Sequence, residues 1–389
     1  MIYSFGAKNY FSFKHGFNVS FELNSKVPKK ISKGNKVSNI IGIKGANASG
    51  KTHILKALHF IFEFCSNSFG YDEDESLNFT SYYRSETPVD FYIDFETSGV
   101  RYIYELKANR EKVIQEKLYR KLNRKILMVE RQGNSIKSRI EDLKELDMVE
   151  LKSNASIIST ATKYKLKKLD AEFSNIYEFF RACISNVGYA GMLDNLRFFS
   201  IDSASEFYYK NERAFNFAKK FISSCDNGIV DIEIHSTHEE DGSVRYFPVF
   251  IHEAGADVPK LNRWVIQHHE SSGTLALFRK LRAYWLVLET GGLLIMDEFD
   301  VNCHPLLLPH ILSLFENEET NKHNAQFIFT AHSTEIIDFL GKYKAVLVNK
   351  EEGVSYCYRL DEIPGDLVRN DRPISNVYKE GKIGGIPML

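Results

Sequence analysis

Apolar positions recur along this chain in two periods, and their order predicts a mixed α/β fold. Residues 2–23 alternate aromatic and polar side chains, the period-two signature of half-buried strands, with a joint near His15-Gly16. A polar, Lys-rich connection, SKVPKKISKGNK, separates them from an apolar strand at 37–43. That strand leads into GIKGANASGKT and then a helix over 53–64. Beyond an acidic loop at 72–75, residues 89–95 and 101–106 read as a hairpin around Ser98-Gly99. From about 138 to 218 the pattern is mainly helical, with helix-period apolar residues in EFSNIYEFFRACI. Residues 229–251 read as strands around Asp241-Gly242. The last third alternates helix and strand through 275–288, 292–296, 305–315, 326–330, 335–340 and 345–349. No internal repeat interrupts this order. It predicts a sheet lobe built from both chain ends, residues 1–106 and 290–389, with a mostly helical lobe inserted at 107–289.

Composition narrows the picture by exclusion. The 389 residues are 26% charged and 43% apolar, an ordinary balance for a soluble protein of more than one average domain. Lys+Arg number 50 against Asp+Glu 51, so no whole-molecule field draws the chain to nucleic acid or membrane. Local patches stay open. Residues 107–125 hold eight Lys/Arg against two Glu, and Lys163, Lys165, Lys167 and Lys168 add to them. A solvated face is the commoner meaning of such a run; a nucleic-acid patch is the alternative. No stretch nears the roughly 20 apolar residues that cross a bilayer, and the start lacks a signal-peptide pattern, so a cytoplasmic location is expected. Cys65, Cys183, Cys225, Cys303 and Cys357 lie far apart, as free thiols in a reducing compartment would.

The candidate chemistry begins at Gly45. GANASGKT (45–52) fits G-x-x-x-x-G-K-[ST], between a predicted strand and a predicted helix. In that setting the backbone of Asn47, Ala48, Ser49 and Gly50 turns its N–H groups toward phosphate oxygens, at the positive end of a helix. Lys51 would neutralise the β/γ-phosphates of ATP, and Thr52 would hold Mg²⁺. GLLIMDE (292–298) reads as a buried parallel strand delivering Asp297 and Glu298 at its carboxyl end. Asp297 would support Mg²⁺ and Glu298 would activate the attacking water. Between these motifs, ESSGT opens the 275–288 helix; alone, Ser271 and Gly273 would suggest only a helix cap. TAHS follows the 326–330 strand and places His332 at its end.

Four such elements in this order, with ESSGT, LLIMDEFDVNCHP, FIFTAHSTEIID and GKIGGIP, resemble the AAA-family ABC-type ATPases of the RecF/SMC branch. Within that branch the likeness is to bacterial abortive-infection and anti-phage ATPases related to the overcoming-lysogenization-defect group. It covers residues 1–65 and 265–389 well and the middle loosely. It implies a P-loop NTPase of ABC ATPase-head type, with Ser271 and Gly273 as the signature facing ATP on the opposite subunit. It further implies His332 as the switch that contacts the γ-phosphate, and 299–305 as the D-loop, with His304 where most transporters carry Asp. The implied assembly is a head-to-tail, ATP-dependent homodimer, with a higher oligomer left open. The implied setting is phage defence beside a separately encoded effector, a nuclease or toxin. No Q-loop glutamine is assignable, since the setting of Gln115 does not support it. A GTPase is disfavoured because Asn349-Lys350-Glu351-Glu352 lacks the Asp of N-K-x-D and reads as a hairpin turn. A RecF/SMC-like DNA-repair ATPase remains the alternative.

Overall fold

A computed structural model describes residues 1–164, 170–193, 197–226, 228–253, 264–266, 269–369 and 371–386. Lys165, Lys167 and Lys168 of the predicted basic patch lie outside the described residues.

The nucleus is a six-stranded sheet in the order 354–359, 345–351, 40–45, 326–330, 293–296, 183–185. Every neighbouring pair is parallel except the antiparallel edge hairpin of 345–351 and 354–359. Both faces are covered, which explains the continuous apolar runs. Ile41, Ile43, Leu293, Ile295, Ile328, Val346 and Val348 feed one core. Their alternates Ile40, Leu294, Met296, Phe327, Phe329, Ala345 and Leu347 feed the other, shared with helices Ser272–Thr290 and Leu308–Glu316. Helix Lys51–Asn67 keeps a part-exposed polar stripe through Thr52, Lys56, His59 and Glu63, but apolar residues cover the rest of its circumference and need cover from more than one side. It meets that demand between two sheets: its core also includes a seven-stranded antiparallel sheet, ordered 2–8 beside 17–20 at one end and running through 89–97, 100–108, 113–121 and 125–132 to 135–139. Phe62 packs against Phe180, and Phe179 stacks on Phe95 at 4.6 Å, so helix Asp170–Arg181 seals the same layer.

Two segments of the predicted helical insert are strands instead. Residues 113–121, 125–132 and 135–139 extend the antiparallel sheet, and Cys183–Ser185 joins the nucleus beside Leu293–Met296. The tail of EFSNIYEFFRACI therefore leaves the helix and becomes an edge strand of the nucleus. Strand alternation at 113–132 is masked because two inward positions are ionic. Glu116 and Arg131 face each other across the ladder, both essentially unexposed, with Nη1 3.5 Å from Oε2. The guanidinium also donates to the carbonyls of Gly133, Lys152 and Ala155, while Glu116 accepts from Tyr104 Oη and the Ile157 N–H. The pair thus pins 152–157 onto the sheet. The basic run is largely spent on acids of the sheet and of the helix over it: Lys107, Lys117, Arg120, Lys121 and Lys125 pair with Asp90, Glu130, Glu172, Asp94 and Glu105. No described helix is long and apolar enough to cross a membrane.

Burial pushes the Glu116 carboxyl up, against the pull of Arg131. Arg131→Met would leave a buried carboxylate without its cation and should cost about 3–5 kcal/mol at pH 7. A carboxyl whose folded pKa is raised favours the folded state at low pH and penalises it as pH rises. The loss, read by denaturant titration, should therefore shrink between pH 7 and pH 5.

Candidate active site

Strand Ile40–Gly45 ends where its backbone must pass the 345–351 strand closely. A Cβ on Gly45 would sit 2.3 Å from the Val348 carbonyl oxygen, so only glycine fits. The loop then turns through Ala48 at φ 60° and Gly50 at φ 114°, and the helix starts at Lys51. Two serines brace it from distant parts of the chain. Ser355 Oγ donates to the Ser49 carbonyl at 2.6 Å, and the Ser355 N–H donates to the Ser12 carbonyl. Ser12 Oγ also lies 2.9 Å from His53 Nδ1. Lys51 bends back over the loop, donating to the carbonyls of Gly45 and Ala46 at 3.0 Å each. Burial lowers its pKa, opposed by Asp297, Glu298 and Asp300.

Asp297 is buried at the carboxyl end of strand Leu293–Met296. Its Oδ2 accepts from Thr52 Oγ at 2.7 Å and its Oδ1 from Thr330 Oγ at 2.5 Å. The Asn186 carboxamide brackets its backbone, donating to the Asp297 carbonyl at 3.0 Å and accepting its N–H at 2.7 Å. Glu298 follows in the left-handed region, φ 50°, an uncommon conformation for a residue with a Cβ. Thr330 holds it there: its hydroxyl accepts the Glu298 N–H at 2.8 Å and its carbonyl accepts the Phe299 N–H at 3.0 Å. His332 Nε2 stands 3.5 Å from Glu298 Oε1, both side chains half-exposed.

Asn47, Ala48, Ser49, Gly50, Lys51, Thr52, Asp297, Glu298 and His332 thus belong to one constellation at the carboxyl ends of three adjacent parallel strands. A cleft of about 890 Å³ runs along the loop, bounded by Asn47, Ala48, His332, Lys350 and Tyr378 among others. Thr52 and Asp297 present hard oxygen donors side by side, the chemistry that suits Mg²⁺. Ser271 and Gly273 are elsewhere. Ser271 caps helix Ser272–Thr290, accepting the Thr274 N–H at 3.1 Å, and its own N–H donates to the buried Glu270, which also meets His252. A Cβ on Gly273 would meet the Asn302 carbonyl oxygen at 3.5 Å, so this helix start abuts the 299–305 segment rather than its own phosphate loop.

Sequence reasoning missed Ser12, Asn186, Thr330 and Ser355 as supports of the site. Asn186 was hidden because the strand it follows, Cys183–Ser185, looked like the end of a helix; Thr330 stood in plain view within TAHS. Gln115 lies on the antiparallel sheet and donates to Glu130 at 2.7 Å, away from this constellation. Asn349 accepts the Gly385 N–H and donates to Tyr358 Oη; Glu352 and Gly353 form the turn between two paired strands, as a hairpin reading requires.

Residues 40–338 match a family model described as "AAA domain, putative AbiEii toxin, Type IV TA system". Solved structures give shallower likenesses. An SMC head bound to the C-winged helix domain of ScpA is 16% identical, with TM-score 0.44, over 92% of this chain and 96% of that one. The SMC head domain from Thermotoga maritima is also 16% identical at TM-score 0.44, over 92% and 98%. An Smc head with an extended coiled coil, bound to the C-terminal domain of ScpA and derived from Pyrococcus furiosus, is 14% identical at TM-score 0.45, over 93% and 97%. No curated protein matches the sequence.

Asn186→Leu preserves volume but strands the N–H and C=O of Asp297. It should lower stability by about 1–3 kcal/mol, read by chemical denaturation. A loss within a few tenths would mean water or another group takes over both bonds.

Proposed function

The chain belongs to this AAA-domain family, and from that membership we propose that it binds ATP–Mg²⁺ and hydrolyses the ATP between two copies of itself. The observation that carries the reading is the Asp297 carboxylate, shared between Thr52 of the phosphate loop and Thr330 beside His332. One group thereby links the residues that would bind phosphate, hold the cation and activate water.

The roles follow from position. The N–H groups of 47–52 and the Lys51 ammonium would bind the β- and γ-phosphates, replacing the loop carbonyls as partners of Lys51. Thr52 and Asp297 would hold Mg²⁺, which when bound neutralises charge developing on the β- and γ-oxygens. Glu298, half-exposed and fixed by its backbone, would orient and deprotonate the attacking water; a positioned general base is worth about 10²–10⁴ in rate. His332 would donate to the γ-phosphate. The start of the 272–290 helix, with Ser271 and Gly273, would supply N–H groups and dipole to the partner's γ-phosphate.

We read the cycle as a switch: ATP closes a head-to-tail dimer and hydrolysis opens it. The setting most in keeping with the family is phage defence, with a separately encoded nuclease or toxin held or released by the switch. The repair-type alternative draws little support from the basic run, five of whose cations pair with acids on the antiparallel sheet or on helix Asp170–Arg181. A toxin or nuclease reading frame beside the gene would favour defence; repair genes there would favour the alternative.

Lys51→Ala should lose ATP binding and turnover together. Glu298→Gln should keep ATP binding and a closed dimer while kcat falls by about 10²–10⁴. Normal hydrolysis by Glu298→Gln would remove it as the base.

Ser271→Arg should leave ATP binding nearly intact and block closure and hydrolysis. Mixed with Lys51→Ala subunits, it should regain one composite site per heterodimer, seen as an ATP-dependent dimer by sedimentation. Normal turnover by Ser271→Arg as a monomer would exclude the trans arrangement.

A further inference from the structure

The residue before the phosphate loop is a lysine with no role in the motif that follows it. Lys44 is 6% exposed, yet it pairs with no carboxylate at salt-bridge distance among the described residues. Its ammonium instead donates to the carbonyls of His332, at 2.5 Å, and Ser333, at 3.3 Å. The N–H groups of the same two residues are also taken. Both donate to Asp300 Oδ2, at 2.9 and 2.6 Å. A cation on the phosphate-loop strand and an anion just past Glu298 therefore grip the backbone of two consecutive residues, one by its carbonyls and the other by its N–H groups.

The anion is itself held firmly. The turn bearing Asp300 is tied to Thr330 through the N–H groups of Glu298 and Phe299. Lys280, on the helix that begins at Ser271, donates to the carbonyls of Phe299 and Val301 at 3.1 and 3.0 Å. Asp300 Oδ1 is buried without a hydrogen-bond partner among the described residues, so its charge acts on Lys44 through space.

We propose that Lys44 is a positioning residue for hydrolysis, which together with Asp300 clamps the His332–Ser333 segment and so sets His332 against Glu298 and the γ-phosphate. The clamp rests on the ATPase reading for its purpose and on hydrogen bonding for its existence. Charge-assisted bonds to backbone are stronger than neutral ones, and four of them converge on two residues. Because the Asp300 turn hangs from the 272–290 helix through Lys280, displacement of that helix by a second subunit reaches the switch segment without a long pathway.

The groups facing Lys44 are Asp300, Glu335, Lys51, the carbonyls of 332 and 333, and the Tyr378 ring at 5.2 Å. Burial draws the ammonium down to about 8, aided by Lys51 and opposed by Asp300 and Glu335. The clamp needs the charged form, so kcat/KM, which reports the free enzyme, should fall as pH rises through about 8. Lys51 is also lowered by burial and faces the same loop, so an alkaline limb alone does not identify Lys44.

Two variants separate them. Lys44→Met keeps the buried stem and removes the cation; kcat should drop about tenfold or more, with KM for ATP within about twofold. Lys44→Arg keeps a cation at all accessible pH; it should restore most of kcat and abolish the limb near pH 8. A wild-type kcat in Lys44→Met or a parallel loss of ATP affinity would each overturn the proposal. Amide hydrogen exchange at 332 and 333 in nucleotide-free protein supplies the readout that needs no turnover. It should quicken about tenfold in Lys44→Met and return toward wild type in Lys44→Arg. Should the wild-type protein hydrolyse no ATP, the ATPase reading falls, and unchanged exchange in Lys44→Met would still sink the clamp on its own.

Discussion

The carboxylate of Asp297 is the point on which the rest of the molecule converges. One oxygen meets a hydroxyl on the first turn of the phosphate-loop helix, the other a hydroxyl at the end of the neighbouring strand. Both contacts require strands 40–45, 326–330 and 293–296 to lie side by side, parallel and in register. Parallel neighbours need long crossovers, and the helices making those crossovers must bury both faces of the sheet. A buried charge tolerates this position only because its lone pairs are satisfied, twice by side chains, while its backbone is satisfied by Asn186.

Helix Lys51–Asn67 carries that demand outward. Outside the stripe of Thr52, Lys56, His59 and Glu63 its side chains are mostly buried, a wider apolar surface than a single sheet could cover. The antiparallel sheet supplies the second wall, with Phe60, Phe79 and Phe91 meeting at about 5 Å between ring centres. The fold is thereby two sheets around one helix, and the phosphate loop is the mouth of that sandwich. The helix cannot tilt or slide without disturbing both walls, which keeps Lys51 and Thr52 in place.

Legibility in the sequence followed periodicity and failed where charge broke it. GANASGKT and the strand before it were readable because glycine, lysine and threonine at fixed spacing admit few other purposes. The strands of the last third were readable because runs such as LLIM and QFIFT have no polar face. Strands 113–132 were not, because Glu116 and Arg131 occupy inward positions and their chain neighbours Gln115, Lys117, Glu130 and Gln132 are polar as well. The strand at 183–185 was missed because three residues carry no period of their own. The supports Ser12 and Ser355 are ordinary serines whose meaning lies in distant contacts, 41 residues apart for Ser12 and His53 and 306 for Ser355 and Ser49.

That distance along the chain has a consequence for biosynthesis. The Gln326 side chain closes on the backbone of Ile2, 324 residues away, and strand 40–45 finds both its partners only among residues 326–351. A chain still emerging from the ribosome can form the antiparallel hairpins, since those contacts are local. It cannot form the nucleus, and its phosphate-loop strand stays without neighbours until the last third arrives. The face of the following helix that meets the parallel sheet is exposed for that whole interval. Production of this protein therefore passes through a vulnerable half-built stage, and an interrupted chain has no active site at all rather than a weakened one.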